Sequence, residues 1–256
     1  MFETFKLLLR FIVRRLINFG SHNEAHYLCA FAFLLLLPTI VFADTETRSS
    51  LWTMSLNRFQ FTEQYRGFLD IQPRFTVDDV PGGDNGSVDT ILIRGALGYQ
   101  LKPNIGIYQG YAIIPTYDPD RVEHRSFQEL LAKHSLSGAA ELVHRLRFEQ
   151  RFIEGVDDTS LRFRYFARFT YPLDQIHDNL SLAINEEVFI HVNDTDGPRS
   201  GFNQNRLFVG LNYRVSKSFA FEFGYQNQYV AGQGSADDVV NHIAFIGMQS
   251  NFSFID

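Results

Sequence analysis

The sequence predicts an all-β protein, an up-and-down antiparallel transmembrane β-barrel of about 10–12 strands preceded by a signal peptide. Three observations lead there. The amino terminus reads as an export signal, strand signals recur from residue 51 to 254 without a competing helical period, and alternate positions separate apolar from arginine-rich side chains.

The amino-terminal segment comes first in the chain. Residues 2–19 carry Lys6, Arg10, Arg14 and Arg15 among apolar side chains, and residues 28–42 form an uncharged run that ends in Val41-Phe42-Ala43. A basic stretch, an apolar run of about 15 residues and small residues at the last and third-last positions describe a secretory signal. An uncleaved anchor, the alternative, would need about 20 apolar residues to span a bilayer. The expected organisation is a signal peptide at 1–43, with an unusually long basic n-region and cleavage after Ala43, and one barrel at 44–256.

Composition narrows the function classes. Loss of residues 1–43 removes four Lys/Arg and two Asp/Glu, leaving 19 basic and 27 acidic residues and a net charge of −8. That balance argues against a nucleic-acid partner. The only cysteine, Cys29, lies in the apolar run, so the mature chain offers no disulfide, Fe–S cluster, cysteine zinc site or cysteine nucleophile. Aromatic residues reach 15% and charged residues 20%. This mixture suits a wall with lipid on one side and water on the other better than a soluble core.

Eleven strand signals follow, near 51–61, 66–76, 89–101, 104–115, 122–136, 141–153, 160–171, 179–193, 203–215, 218–230 and 240–254. Each approximates or exceeds the roughly 9–11 residues that a tilted membrane strand needs. Bacterial single-chain barrels have even strand numbers, so one strand is expected to be missed, merged or outside the wall. Short turns at 102–104, 137–140 and 216–217 alternate with longer polar loops at 78–88, 116–121, 194–202 and 231–239. The longer set is expected outside the cell.

Face assignment rests on the pleat, which sends successive side chains to opposite sides. On 160–171, Leu161, Phe163, Tyr165, Ala167, Phe169 and Tyr171 oppose Arg162, Arg164, Phe166, Arg168 and Thr170. On 141–153, Leu142, Leu146, Phe148 and Phe152 oppose Arg145, Arg147, Glu149 and Arg151. The strand at 203–215 sets Leu207, Val209, Leu211 and Tyr213 against Arg206, Asn212 and Arg214. At 218–230, Phe219, Phe221, Phe223 and Tyr225 stand against Glu222, Gln226 and Gln228. A secreted soluble β-sandwich also alternates, but its polar face is commonly rich in Lys, whereas here Arg dominates. The last strand ends in aromatics, Phe252 and Phe254, as membrane barrels usually do, with Ile255-Asp256 departing from a terminal Phe.

Several stretches, Leu69-Asp70-Ile71-Gln72-Pro73-Arg74-Phe75, the run at 94–101, Arg145-Leu146-Arg147-Phe148-Glu149-Gln150-Arg151-Phe152, Asn185-Glu186-Glu187-Val188-Phe189, the run at 204–210 and Glu123-His124-Arg125, are similar to domain-of-unknown-function family 2490. The resemblance implies fold and location, an exported barrel in the cell outer membrane of a Gram-negative bacterium, and it carries no activity.

Candidate sites follow from the faces. The inward set Arg94, Arg145, Arg147, Arg151, Arg162, Arg164, Arg168, Arg206 and Arg214 exceeds its expected partners Asp70, Glu149, Glu187 and Glu222. A basic interior attracts anions, but the same side chains also suffice to fill a narrow barrel with charge-assisted hydrogen bonds. His124-Arg125-Ser126 places an imidazole and a hydroxyl on one strand face, the minimum for acyl transfer, and resembles the His-x-Ser dyad of outer-membrane phospholipases and lipid A deacylases. Here Phe127-Gln128 follow in place of Asn and a small residue, which leaves Gln128 or Gln150 as the only orienting groups.

His134 and His144 sit across a short turn, yet two donors fall short of a zinc site, and no metal is expected. Glu186 and Glu187 point to opposite faces, which excludes paired-carboxylate chemistry between them. Glycines 82, 83, 86 and 98 form no phosphate-binding loop, so no cofactor is expected. The first expectation is a non-enzymatic envelope or ligand-binding barrel whose partners are outer-membrane lipid, the assembly machinery that inserts barrels, and a small anionic or lipid ligand. The alternatives are a lipid hydrolase built on His124 and Ser126, and a narrow anion-selective pore.

Overall fold

Alternation with a period of two is realised as strands along the chain. The computed structural model describes residues 45–77, 87–117, 120–234 and 236–255, and the expected signal peptide at 1–43 together with Gly82, Gly83 and Gly86 lies outside them. The described residues form eleven strands: β1 (Thr45–Gln60), β2 (Tyr65–Thr76), β3 (Val88–Lys102), β4 (Ile105–Tyr117), β5 (Asp120–Ser135), β6 (Glu141–Ile153), β7 (Ser160–Pro172), β8 (Leu180–His191), β9 (Gly201–Arg214), β10 (Phe219–Val230) and β11 (Asp238–Ser253). A 3-10 turn, Ser137–Ala139, joins β5 to β6.

Each strand pairs antiparallel with the next, and the ring closes where β1 pairs with β11 in parallel, from Thr45↔Asp238 to Gln60↔Ser253. The parallel seam is a consequence of the odd number. In an up-and-down ring of eleven, the first and last strands run the same way, so they can meet only in parallel. The wall thus departs at one seam from a purely antiparallel ring, and closure leaves no edge strand to template aggregation.

The connections at 61–64, 103–104, 136–140, 173–179 and 215–218 gather at one mouth, and the opposite strand ends, at Thr76 and Val88, Tyr117 and Asp120, Ile153 and Ser160, His191 and Gly201, and Val230 and Asp238, gather at the other. One expected long loop is absent. β4 and β5 run to Tyr117↔Asp120, which leaves only residues 118–119 between them where a loop over 116–121 was anticipated. The polar composition there belongs to strand ends that rise past the apolar belt.

Inside and outside are decided by contacts that skip strands, since side chains on non-neighbouring strands can touch only across the interior of a closed ring. Arg145 of β6 reaches Glu187 of β8 at 2.6 Å, Phe68 of β2 stacks near Phe127 of β5 with ring centroids 6.5 Å apart, and Arg168 of β7 pairs with Glu222 of β10. The opposite parity carries the exposed apolar residues, among them Leu97, Ile107, Phe152, Phe223 and Ile246. At the short-turn end of the seam, Phe59 stacks on Phe252 and Phe61 on Phe254, with centroids 5.6 and 5.8 Å apart. An apolar outer band edged by aromatics is what a bilayer requires of a transmembrane barrel.

Candidate functional site

The inner face is built from the alternation already visible in sequence. On β6 the inward positions include Arg145, Arg147, Glu149 and Arg151 and on β7 Arg162, Arg164 and Arg168, and pairing brings Arg147 opposite Arg164 and Glu149 opposite Arg162. Two arginines side by side would repel, so carboxylates from neighbouring rungs intervene. Glu149 accepts from Arg162 Nη2 at 2.7 Å and from Arg164 Nη1 at 2.6 Å, while Glu187 accepts from Arg164 Nη2 at 2.7 Å and Arg145 Nη2 at 2.6 Å. Arg147 donates to Glu129 through Nε at 2.8 Å, and Arg94 donates to Asp70 at 2.9 Å. Arg125 and Arg151 share Glu123. These are charge-assisted bonds with the planar fork geometry that suits Arg to buried carboxylates.

Aromatic rings continue the network where carboxylates stop. Arg147 lies over Phe127 at 4.3 Å, Arg94 over Phe68 at 5.9 Å, and Arg164 over Phe189 at 4.4 Å. Because Phe68 also meets Phe127, a chain of ion pairs and ring contacts runs from β2 across to β5 and on through β6 and β7 to β8. The barrel interior is therefore bridged by side chains.

Of the nine expected basic residues, eight join this interior. Arg214 does not: it ends β9 at the short-turn rim, is exposed, and donates to the Asp178 carbonyl at 3.5 Å. Register adds Arg58, Arg66, Arg74 and Arg125 to the inner face, and Glu123 and Glu129 join Asp70, Glu149, Glu187 and Glu222. Leaving aside the rim residues Arg48, Arg121, Arg214, Glu46 and Glu141, of which Arg48 pairs with Glu46 and Glu141 with Lys133, twelve described arginines on the inner face thus meet six buried carboxylates. The added pairs were readable from the alternation on 122–136, where Glu123, Arg125 and Glu129 fall opposite His124, Ser126 and Gln128. Buried atoms without a hydrogen bond on the inner face are mostly donors: Nε of Arg66, Arg145 and Arg206, Nη1 of Arg147 and Nε2 of Gln226, against one acceptor, Oδ1 of Asp70; of these, Arg145 Nε and Arg147 Nη1 each lie 3.8 Å from a carboxylate oxygen, of Glu129 and Glu149.

The remaining candidates face outward. His124 Nδ1 is engaged by the Tyr111 hydroxyl at 2.9 Å, and Ser126 Oγ accepts from Gln109 Nε2 at 3.2 Å, so the hydrogen bonds of the pair run to neighbours. Gln128 and Gln150 bond each other, Gln128 also donates to Gln109, and neither orients His124. His134 and His144 lie with ring centroids 5.4 Å apart, and His144 Nδ1 meets the Tyr165 hydroxyl at 2.7 Å. Among the described residues no group of three or more His, Cys, Asp or Glu could hold a metal ion. Glu186 faces outward and accepts from Asn205 at 3.0 Å, on the side opposite Glu187.

An uncharacterised protein of Methylorubrum extorquens is 31% identical over 226 residues, covering 84% of this chain and 96% of its own. Among solved structures, the NanC porin in its rhombohedral crystal form aligns with a TM-score of 0.49 at 10% identity, over 77% of this chain and 91% of that one. The family model described as "Protein of unknown function (DUF2490)" matches residues 49–239, well over half of the chain, and with the bacterial relative it shows that this protein belongs to that family.

Proposed function

We propose that this chain is an exported outer-membrane barrel of a Gram-negative envelope that acts without chemistry of its own and takes a small anionic group into its arginine-rich interior. One observation carries the reading: twelve arginines against six carboxylates, with buried N–H donors left over. An oxyanion supplies both the negative charge and the acceptor atoms that this interior lacks. The bridging side chains favour binding over free conduction, because ions passing along the axis would have to part them. The engagement of His124 with Tyr111 leaves the hydrolase reading with less support.

The test uses the barrel extracted in detergent from the outer-membrane fraction, recognised by heat-modifiable gel mobility. Inorganic phosphate is expected to raise its unfolding temperature beyond the rise given by chloride at equal ionic strength, since a ligand that binds only the folded state stabilises it by mass action. Equal shifts with both salts would reduce the effect to screening and reject the reading. In the same preparation, Ser126→Ala is expected to leave phospholipid hydrolysis unchanged, and its loss would restore the hydrolase.

A further inference from the structure

Trp52 is the only tryptophan of the chain, and it lies on the inner face of β1, 4% exposed, with two guanidiniums over its ring. Arg74 of the adjacent β2 sits 3.9 Å from the ring centroid, and Arg206 of β9, reaching across the interior, 4.9 Å. Arg206 also lies over Phe189 at 4.7 Å. Stacking occupies the flat faces of a guanidinium and leaves its in-plane N–H groups unspent.

Those N–H groups have little else to bond. Arg74 gives Nε and Nη2 to one amide oxygen, that of Gln72, at 3.2 and 2.8 Å. Arg206 makes no ion pair or hydrogen bond with any described residue, and its Nε is buried without a partner. The carboxylate opposite Arg206 in register, Glu187, is already held by Arg145 and Arg164. Both arginines are only half-buried, so water reaches them beside the covered indole.

We infer that Arg74, Arg206 and Trp52 form an oxyanion clamp, in which a phosphate or carboxylate group bridges the two guanidinium edges beside the indole. The inference rests on the anion-binding reading above and locates it. A planar fork on each side matches two oxygens of one anion, which a lysine pair would hold only as point charges.

Trp52 reports on the clamp directly. In the detergent-extracted barrel, titration with inorganic phosphate at constant ionic strength is expected to change Trp52 emission saturably. Arg206→Gln and Arg74→Gln are each expected to weaken the apparent affinity about tenfold or more, the loss of one charge-assisted contact. Arg206→Lys keeps the charge without the fork and is expected to fall between wild type and Arg206→Gln, and it covers the case in which the neutral variant fails to fold. Arg214→Gln, at the rim, should match wild type. Unchanged affinity in the folded Arg74 and Arg206 variants would overturn the clamp. A silent Trp52 alongside phosphate-raised unfolding temperature would overturn it while leaving anion binding elsewhere in the interior standing. Silence in both measurements would remove both readings.

Discussion

Glu149 shows how a single carboxylate holds this interior. It is 1% exposed and bonded to Arg162 and Arg164, with Arg147 at 3.8 Å. Removing its charge leaves Arg162 buried without a carboxylate, while Arg164 and Arg147 keep Glu187 and Glu129, so Glu149→Gln is expected to cost about 3–5 kcal/mol of barrel stability. Urea unfolding in detergent, followed by Trp52 emission, measures it. Arg58→Gln is the contrast: Arg58 is exposed and donates to the Gln249 amide at 3.1 Å, and its loss should move the midpoint little. That Glu149 and its arginines point inward was legible from the pleat. Which carboxylate serves which arginine was not, because the partners come from strands whose alignment is set by register around the ring.

On individual strands and loops, close packing and local hydrogen bonds decide. Gly110 on β4 faces the interior directly beneath Phe127, and a Cβ there would stand 2.0 Å from the ring tip. Phe127 is fully buried between Phe68 and Arg147, so it has nowhere to yield. Gly110→Ala is therefore expected to destabilise the barrel by about 1–3 kcal/mol, the usual cost of overfilling a packed interior, read as a lower unfolding temperature of the heat-modifiable form.

The β8–β9 loop carries a different device, in which Asp194 accepts from the backbone N–H and hydroxyl of Ser200 at 2.8 and 2.9 Å. Those bonds lower the Asp194 pKa from its ordinary 3.8. A depressed carboxylate contributes fully above its ordinary pKa and loses that contribution as pH falls through the lowered one. Protection of the Ser200 amide against hydrogen exchange should thus persist through neutral and mildly acid pH and fade only below the ordinary carboxylate range. Fading near neutrality would contradict the assignment.

Across the entire barrel, charge is segregated. The chain after residue 43 is net negative, yet its interior is rich in arginine and the long-loop mouth carries Glu154, Asp157, Asp158, Asp194, Asp196 and Asp237. A basic interior behind an acidic rim attracts anions more strongly near the centre than at that mouth. With bridging side chains in place, planar-bilayer conductance of the wild type is expected to be small. The double substitution Arg147→Ala and Glu149→Ala, which interrupts the chain of contacts between β5 and β7, should raise it. A large wild-type conductance would show that the bridges part readily and would favour the pore.

Strand identity, the two faces of β6, β7, β9 and β10 and the alternation of short and long connections were readable in the chain, because a period of two and turn chemistry are local properties. Strand bounds agree to within a few residues except at the amino end of β1, which begins at Thr45 where alternation had suggested 51. The closed ring decided everything that depends on residues distant in sequence. It made the β1–β11 seam parallel, shortened the β4–β5 connection to two residues, gave His124 to Tyr111, and set Trp52 against Arg206 three strands away. Local spacing sets which way a side chain points, whereas the shear of the whole wall sets what it meets.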